Sequence, residues 1–232
     1  DDVAREKFNR LWGCTVPAEN GWNLTEMFEA MERGELRAVF VIGENPAQSE
    51  ADGAHATHLL ENLDFLVVQD LFLTKTAELA DVVFPGSASW CESDGTVTNS
   101  ERRVQRVRKA LNPPGNARDD IQIILDLARE MGHDWKYESI EEIWNELRSL
   151  SPMHHGMTYS RLAELGGIQW PCFSEDKLEP SFLHGRLWDK DPAKRGRLAP
   201  FSVVIDDPPV EATTPEFPLR LTTGRRLDSY NT

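Results

Sequence analysis

Apolar residues fall along this chain in two different rhythms. Short unbroken runs come first: "RAVFVIG" over 37–43, "DFLVVQD" over 64–70 and "DVVFPG" over 81–86. None alternates, as expected of strands covered on both faces. Between them lies "SEADGAHATHLLENL" (49–63), with Leu59, Leu60 and Leu63 at helical spacing and Gly53 weakening its start, and then "AELA", a short helix after Thr74 and Thr76. Strand, helix, strand, helix, strand within fifty residues predicts a parallel sheet with crossover helices. Further on, "GTVTNSERRVQRVRKAL" (95–111) spaces Val97, Val104 and Val107 among polar residues and reads as an extended excursion. "DDIQIILDLAREMG" (119–132) and "SIEEIWNELRSL" (139–150) are amphipathic helices, the first opened by an aspartate pair and closed by glycine. Past 150 the rhythm fades. Residues 151–218 hold most of the prolines and read as a long connection or a set of loops facing a site.

The predicted class is therefore α/β: a Rossmann-like parallel sheet flanked by helices over residues 1–150. A loop-rich connector over 151–214 follows, then the first strand of a truncated β-barrel cap domain over 215–232. The chain opens on "DDVAREKFNRLWG", a helix joined in progress, and stops after "FPLRLTTGRRLDSYNT", a strand without a partner; both read as a piece of a longer polypeptide.

Composition narrows the function. At 40% hydrophobic and 28% charged residues the chain has the make-up of a soluble globular protein, and a formal net charge of -14 argues against affinity for nucleic acid or anionic membrane. Cys14, Cys91 and Cys172 are scattered, without CxxC or Cys/His spacing, so a reducing, cytoplasmic setting is the simpler expectation. No apolar run approaches a membrane span, and no signal peptide is visible.

In an open parallel sheet, ligands bind beyond the carboxyl ends of the strands. Two polar clusters fall there: Gly43-Glu44-Asn45-Pro46 after the first strand and Gln69-Asp70 after the second. A carboxylate in that place suits the paired N–H donors of a guanine base, and Thr74 and Thr76 could serve a phosphate. Each has a plainer alternative, with Asp70 accepting backbone bonds in a turn and Thr76 capping a helix. Asp119 and Asp120 read first as helix caps. Thr223-Gly224-Arg225 could wrap a phosphate. His154-His155 lacks further ligands nearby, which makes metal binding there improbable. The absence of G-x-G-x-x-G argues against an ordinary dinucleotide site.

The stretches "VFVIGENPAQSEAD", "VVQDLFLTKTAELADVVFPGSASWCESDGTVTNSERRVQ", "DDIQIILDLAREMG", "LAELGGIQWPC" and "LTTGRRLDSYNT" together resemble the later part of the catalytic (alpha) subunit of molybdenum-dependent formate dehydrogenases, in the molybdopterin oxidoreductase family. That resemblance implies a partial site for a bis(molybdopterin guanine dinucleotide) cofactor. Gln69 and Asp70 would meet a guanine, Thr74 and Thr76 would line the same pocket, and Asn45 and Asp120 would stand near the nucleotide. Thr223, Gly224 and Arg225 match the loop that closes over the cofactor. It also implies an enzyme oxidising formate to CO2, with electrons passing through molybdenum to iron–sulfur centres and electron-transfer subunits that could include an NAD-reducing one. By the same resemblance the metal ligand, the active-site arginine and the cysteines for an iron–sulfur cluster lie upstream. The segment alone is then expected to be inactive, with no catalytic or metal-binding residue of its own. The alternatives are another enzyme with the same cofactor, such as a nitrate reductase, or a non-catalytic scaffold related to the large iron–sulfur subunit of NADH dehydrogenase.

Overall fold

The computed structural model describes residues 2–88, 90–178, 193, 201–206 and 212–221. Contacts divide the chain into a unit over Asp1–Ser181 and a second over Phe182–Thr232.

Three runs form the predicted parallel sheet: β1 (Ala38–Ile42), β2 (Phe65–Asp70) and β3 (Val82–Pro85), in the order β1-β2-β3. The register pairs Val41 with Val68, Ile42 with Gln69 and Asp70 with Pro85, so the three carboxyl ends lie side by side. Backbone bonds continue past the strands: Gly43 N–H donates to the Gln69 carbonyl (2.9 Å) and Gly86 N–H to the Asp70 carbonyl (3.0 Å).

The unalternating runs split by parity between two faces. Val41, Leu66 and Val68 are buried against Ala47, Leu60 and Ala77 of the crossover segments, with Met31, Val39 and Leu63 packed around them. Phe40, Phe65, Val67, Val82 and Phe84 line an apolar groove of about 420 Å³ on the opposite face, bordered by Leu127. Helices α1 (Asp2–Trp12) and α2 (Leu24–Glu32) precede the sheet. A reciprocal cap between Asn23 and Glu26 opens α2.

The helix expected over 49–63 starts later, as α4 (Gly53–Glu61), and a separate short helix, α3 (Pro46–Ser49), precedes it. The break has a local cause. Asp52 accepts from His55 N–H (3.0 Å) and restarts the helix as an N-cap, and Gly53 sits where a Cβ would stand 3.4 Å from the Ala47 carbonyl. The short helix after the threonines is α5 (Lys75–Glu78).

The excursion over 95–111 is an antiparallel hairpin, β4 (Gly95–Thr98) and β5 (Arg103–Val107). It turns at Asn99–Arg102, where Arg102 takes a left-handed φ of 66°. The carboxamide oxygen of Asn99 holds the turn by accepting from Glu101 N–H (3.1 Å) and Arg103 N–H (2.9 Å). A third strand, β6 (Ile168–Gln169), pairs with β5. The two predicted amphipathic helices follow as α6 (Asp120–Glu130) and α7 (Ile140–Leu150).

The stretch past 150 is not uniformly loose. A 3-10 turn (Pro152–His154) and α8 (Tyr159–Glu164) lead to β6, and Met157, Tyr159, Leu162, Ile168 and Cys172 share one buried core with Val104 and Trp144. Residues 151–178 therefore belong to the same compact unit as the sheet. Proline content misled here, because core-forming side chains were spaced by turns rather than by a helical or strand period. In the second unit, residues 201–206 and 212–221 carry no regular element, and Phe201, Val203 and Leu219 are exposed. The strand expected over 215–232 is thus not formed over 215–221, and its remainder lies outside the described residues.

Candidate functional site

A cleft of about 210 Å³ opens at the carboxyl edge of the parallel sheet, walled by Gly43, Gln69, Asp70, Gly86, Ser87 and Asp120, with Trp90 on its rim. This is where the topology places a ligand site in an open parallel sheet.

Gln69 is the central wall residue, 1% exposed. It shares parity with Phe65 and Val67, so its side chain leaves the sheet on the face opposite the crossover helices. There its amide Nε2 donates to Asp120 Oδ1 at 2.7 Å. Its carbonyl Oε1 is buried and has no hydrogen-bond partner among the described residues. Ser87, 3% exposed, likewise has a buried hydroxyl without a partner. A buried polar atom left unpaired costs about 1–3 kcal/mol. Two in one cleft make it the candidate site.

Asp119 and Asp120 divide the work expected of either. Asp119 is the N-cap of α6, its Oδ1 accepting from Ile121 N–H at 3.0 Å. Asp120, one residue on, is free of capping and reaches Gln69. Gly86 makes that reach possible, since a Cβ there would stand 2.8 Å from Asp120 Oδ1.

Asp70 does close a turn: Oδ1 accepts from Leu71 N–H (2.6 Å) and Phe72 N–H (3.3 Å). Oδ1 alone is engaged in that turn, and Asp70, half-buried, is among the residues that line the cleft. The turn also throws Leu71, Phe72 and Leu73 outward, at 45%, 75% and 69% exposure.

Asn45, Thr74 and Thr76 take supporting positions. Thr74 is the N-cap of α5 and accepts from Ala77 N–H at 3.2 Å. Thr76 is fully buried; its hydroxyl donates to Asn45 Oδ1 (2.8 Å) and accepts from Ala47 N–H (3.1 Å). Thr76 N–H also donates to Asn45 Oδ1 (3.1 Å). Asn45 and Thr76 thereby clasp the loop after β1 to the start of α5, and none of the three lines the cleft. Thr223, Gly224 and Arg225 lie outside the described residues.

Ser87 and Gly86 were missed from the sequence. The signal was present, since "PGS" follows β3 as Gly43 follows β1, and the carboxyl-end rule applies to all three strands. Among the described residues no cluster of three His, Cys, Asp or Glu side chains could hold a metal ion. Cys172 is buried, its Sγ 3.6 Å from the Arg161 guanidinium.

The molybdopterin oxidoreductase family model matches residues 5–130, which include both strands and loops of the cleft. The chain belongs to that family. It is 42% identical over 227 residues to the F420-dependent formate dehydrogenase subunit alpha of Methanocaldococcus jannaschii, covering 97% of this chain and 33% of that one. It is 38% identical over 234 residues to formate dehydrogenase H of Escherichia coli, covering 100% of this chain and 32% of that one. The chain thus spans about a third of the length of these relatives. Among solved structures it resembles acetylene hydratase from Pelobacter acetylenicus, with a TM-score of 0.52 and 26% identity, over 78% of this chain and 25% of that one. No helix among the described residues is long and apolar enough to cross a membrane.

Proposed function

We propose that this chain is part of a formate dehydrogenase of the molybdopterin family, and that its cleft holds a guanine end of a bis(molybdopterin guanine dinucleotide) cofactor. The observation that carries this reading is the pair of buried, unpartnered polar atoms, Gln69 Oε1 and Ser87 Oγ, at the carboxyl edge of the sheet. The acceptor set suits the group. Gln69 Oε1 is an acceptor in the cleft wall, and the Asp70 carboxylate at the end of the same strand offers another, matching the adjacent N–H donors of guanine. A volume of about 210 Å³ falls below the roughly 300–1,000 Å³ of pockets that enclose a whole ligand. One end of a long cofactor fits such a cleft better than a whole small substrate does. The Asp120 carboxylate orients the Gln69 amide, and the Asx turn orients Asp70, before any ligand arrives. A pure scaffold gains nothing from leaving two buried polar atoms without protein partners.

When bound, the molybdenum of such a cofactor supplies the two-electron chemistry of formate oxidation. The residues of this chain bind and orient the nucleotide end. The metal ligand, the iron–sulfur centres and the route to electron-transfer subunits belong to other parts of the enzyme, so residues 1–232 alone are expected to show no formate-dependent dye reduction. Asn45, Thr74 and Thr76 support the cleft from behind, and Thr223, Gly224 and Arg225 remain candidates for closing over the cofactor.

Asp70→Asn in the intact enzyme tests the reading. Asparagine keeps an acceptor for the Asx turn and replaces the second carboxylate oxygen, which on this reading meets the guanine, with a donor. Losing a charge-assisted bond and setting donor against donor should cost on the order of 2–4 kcal/mol of cofactor binding, with the fold intact. Molybdenum per chain and formate turnover are expected to fall together. A folded variant with the wild-type metal content and rate would sink the guanine assignment.

A further inference from the structure

Gln69 has a two-ended amide, and an unconstrained glutamine could present either its carbonyl or its NH2 to a ligand. In this fold the choice is made by Asp120. A carboxylate only accepts hydrogen bonds, so the group 2.7 Å from Asp120 Oδ1 has to be the amide nitrogen. The carbonyl is then turned to the other side, where it is buried in the cleft wall without a partner. Resting on the guanine reading above, we infer that Asp120 is a positioning residue: it locks the Gln69 amide so that this central wall residue is a fixed acceptor toward the base. Gly86 is the space that permits the lock, because a Cβ would lie 2.8 Å from the same carboxylate oxygen.

The consequence is selectivity. A fixed carbonyl is complementary to a base edge rich in N–H donors and repels one that presents a lone pair, so guanine is favoured over an isostere with an acceptor at that edge. A free glutamine would rotate to satisfy both. Holding the amide before the ligand binds also removes the entropy of ordering a side chain with three rotatable bonds.

Exchanging the two polar partners in the intact enzyme separates this role from the others Asp120 could play. Gln69→Glu sets two carboxylates against each other, and retained guanine nucleotide, counted per chain after acid release and chromatography, is expected to fall at least tenfold. Adding Asp120→Asn restores the pattern with its polarity reversed. The amide of the introduced asparagine would donate to one glutamate oxygen and leave the other facing the cleft as acceptor, at the same total charge as Gln69 with Asp120. Occupancy is expected to return to within about threefold of wild type. If Asp120 instead bound the nucleotide directly or only served the helix, the double variant would stay as depleted as Gln69→Glu, and the inference would be overturned. Full occupancy in Gln69→Glu would overturn it as well. Should the single variant fold poorly, the charge-conserving double variant still decides, and Gly86→Ala, which pushes the carboxylate away, is expected to lower occupancy several-fold. A wild-type enzyme carrying no guanine nucleotide would overturn the functional reading itself, which is a different result from a loaded wild type with indifferent variants.

Discussion

The compact unit contains two three-stranded sheets that treat their polar groups in opposite ways. Around the antiparallel sheet, buried polar groups are turned inward and paired. Trp144 Nε1 donates to the Met157 carbonyl at 2.6 Å, and the Arg161 guanidinium spans the carbonyls of Gly156 and Ser174 beside Cys172. Its buried exception, Arg106 Nε, belongs to a guanidinium stacked over the Tyr159 ring at 3.4 Å, so the charge has a π-face in place of an acceptor. At the carboxyl edge of the parallel sheet, Gln69 Oε1 and Ser87 Oγ are buried without a partner among the described residues. The first arrangement is what a region looks like when its polar groups serve folding. The second leaves polar groups without protein partners at a cleft, as a region does when those groups serve a ligand. Variants at the two sheets should therefore behave differently, one set reading out as stability and the other as occupancy.

Gly156→Ala should produce the largest effect. A Cβ at Gly156 would stand 2.1 Å from the Ser174 carbonyl oxygen and 2.7 Å from Cys172 Sγ, both within the paired core. Backbone has to move, and a loss of at least about 3 kcal/mol is expected. Denaturant midpoints of the intact enzyme would show it. An unchanged midpoint would mean that this core is loose, and the contrast between the two sheets would fail.

That core was also the part least legible in the sequence. The parallel sheet could be read directly, because its apolar runs are contiguous and punctuated by Gly-Glu-Asn-Pro and Pro-Gly. β6 is two residues long, and Met157, Tyr159, Leu162 and Cys172 follow no single period, so only the tertiary pairing with Val104 assembles them. The site divides similarly. Asp70 and Gln69 were legible as polar residues ending a buried strand. Ser87 was not, since one hydroxyl after Pro-Gly is indistinguishable from an ordinary turn residue until its lack of a partner is seen. The bonds of Thr76 were not legible either: a hydroxyl near a strand end suggests a ligand, whereas its burial and two bonds tie it to Asn45 and Ala47.

Thr76→Val tests where the boundary between the two kinds of polar group runs. Valine keeps the volume but removes the hydroxyl that bridges Asn45 Oδ1 and Ala47 N–H, leaving a buried amide unpaired. A loss of about 2 kcal/mol is expected. If the clasp is purely architectural, nucleotide retained per folded chain should fall far less than in the Gln69 variant. Thermal unfolding alongside nucleotide content would decide. A stable variant that had lost its nucleotide would move Thr76 from the clasp into the site.

Ser87→Ala carries the smallest expected change in stability and the sharpest sign. At most buried serines, removing the hydroxyl breaks a bond and strands its partner. Here the hydroxyl has no partner to strand, so alanine removes only the cost of keeping an unpaired group out of water. The cofactor-free enzyme should become more stable, or at least no less stable, by up to about 1 kcal/mol. The loaded enzyme should bind its nucleotide less tightly, because a contact available only to the ligand is gone. Stability without cofactor and retention of cofactor would then move in opposite directions, which no substitution in the antiparallel core should do. Melting curves of the cofactor-free protein, compared with nucleotide content after purification, separate the two quantities. A Ser87→Ala protein that is clearly less stable when cofactor-free would show that its hydroxyl serves the fold after all, and the distinction between the two sheets would rest on Gln69 alone.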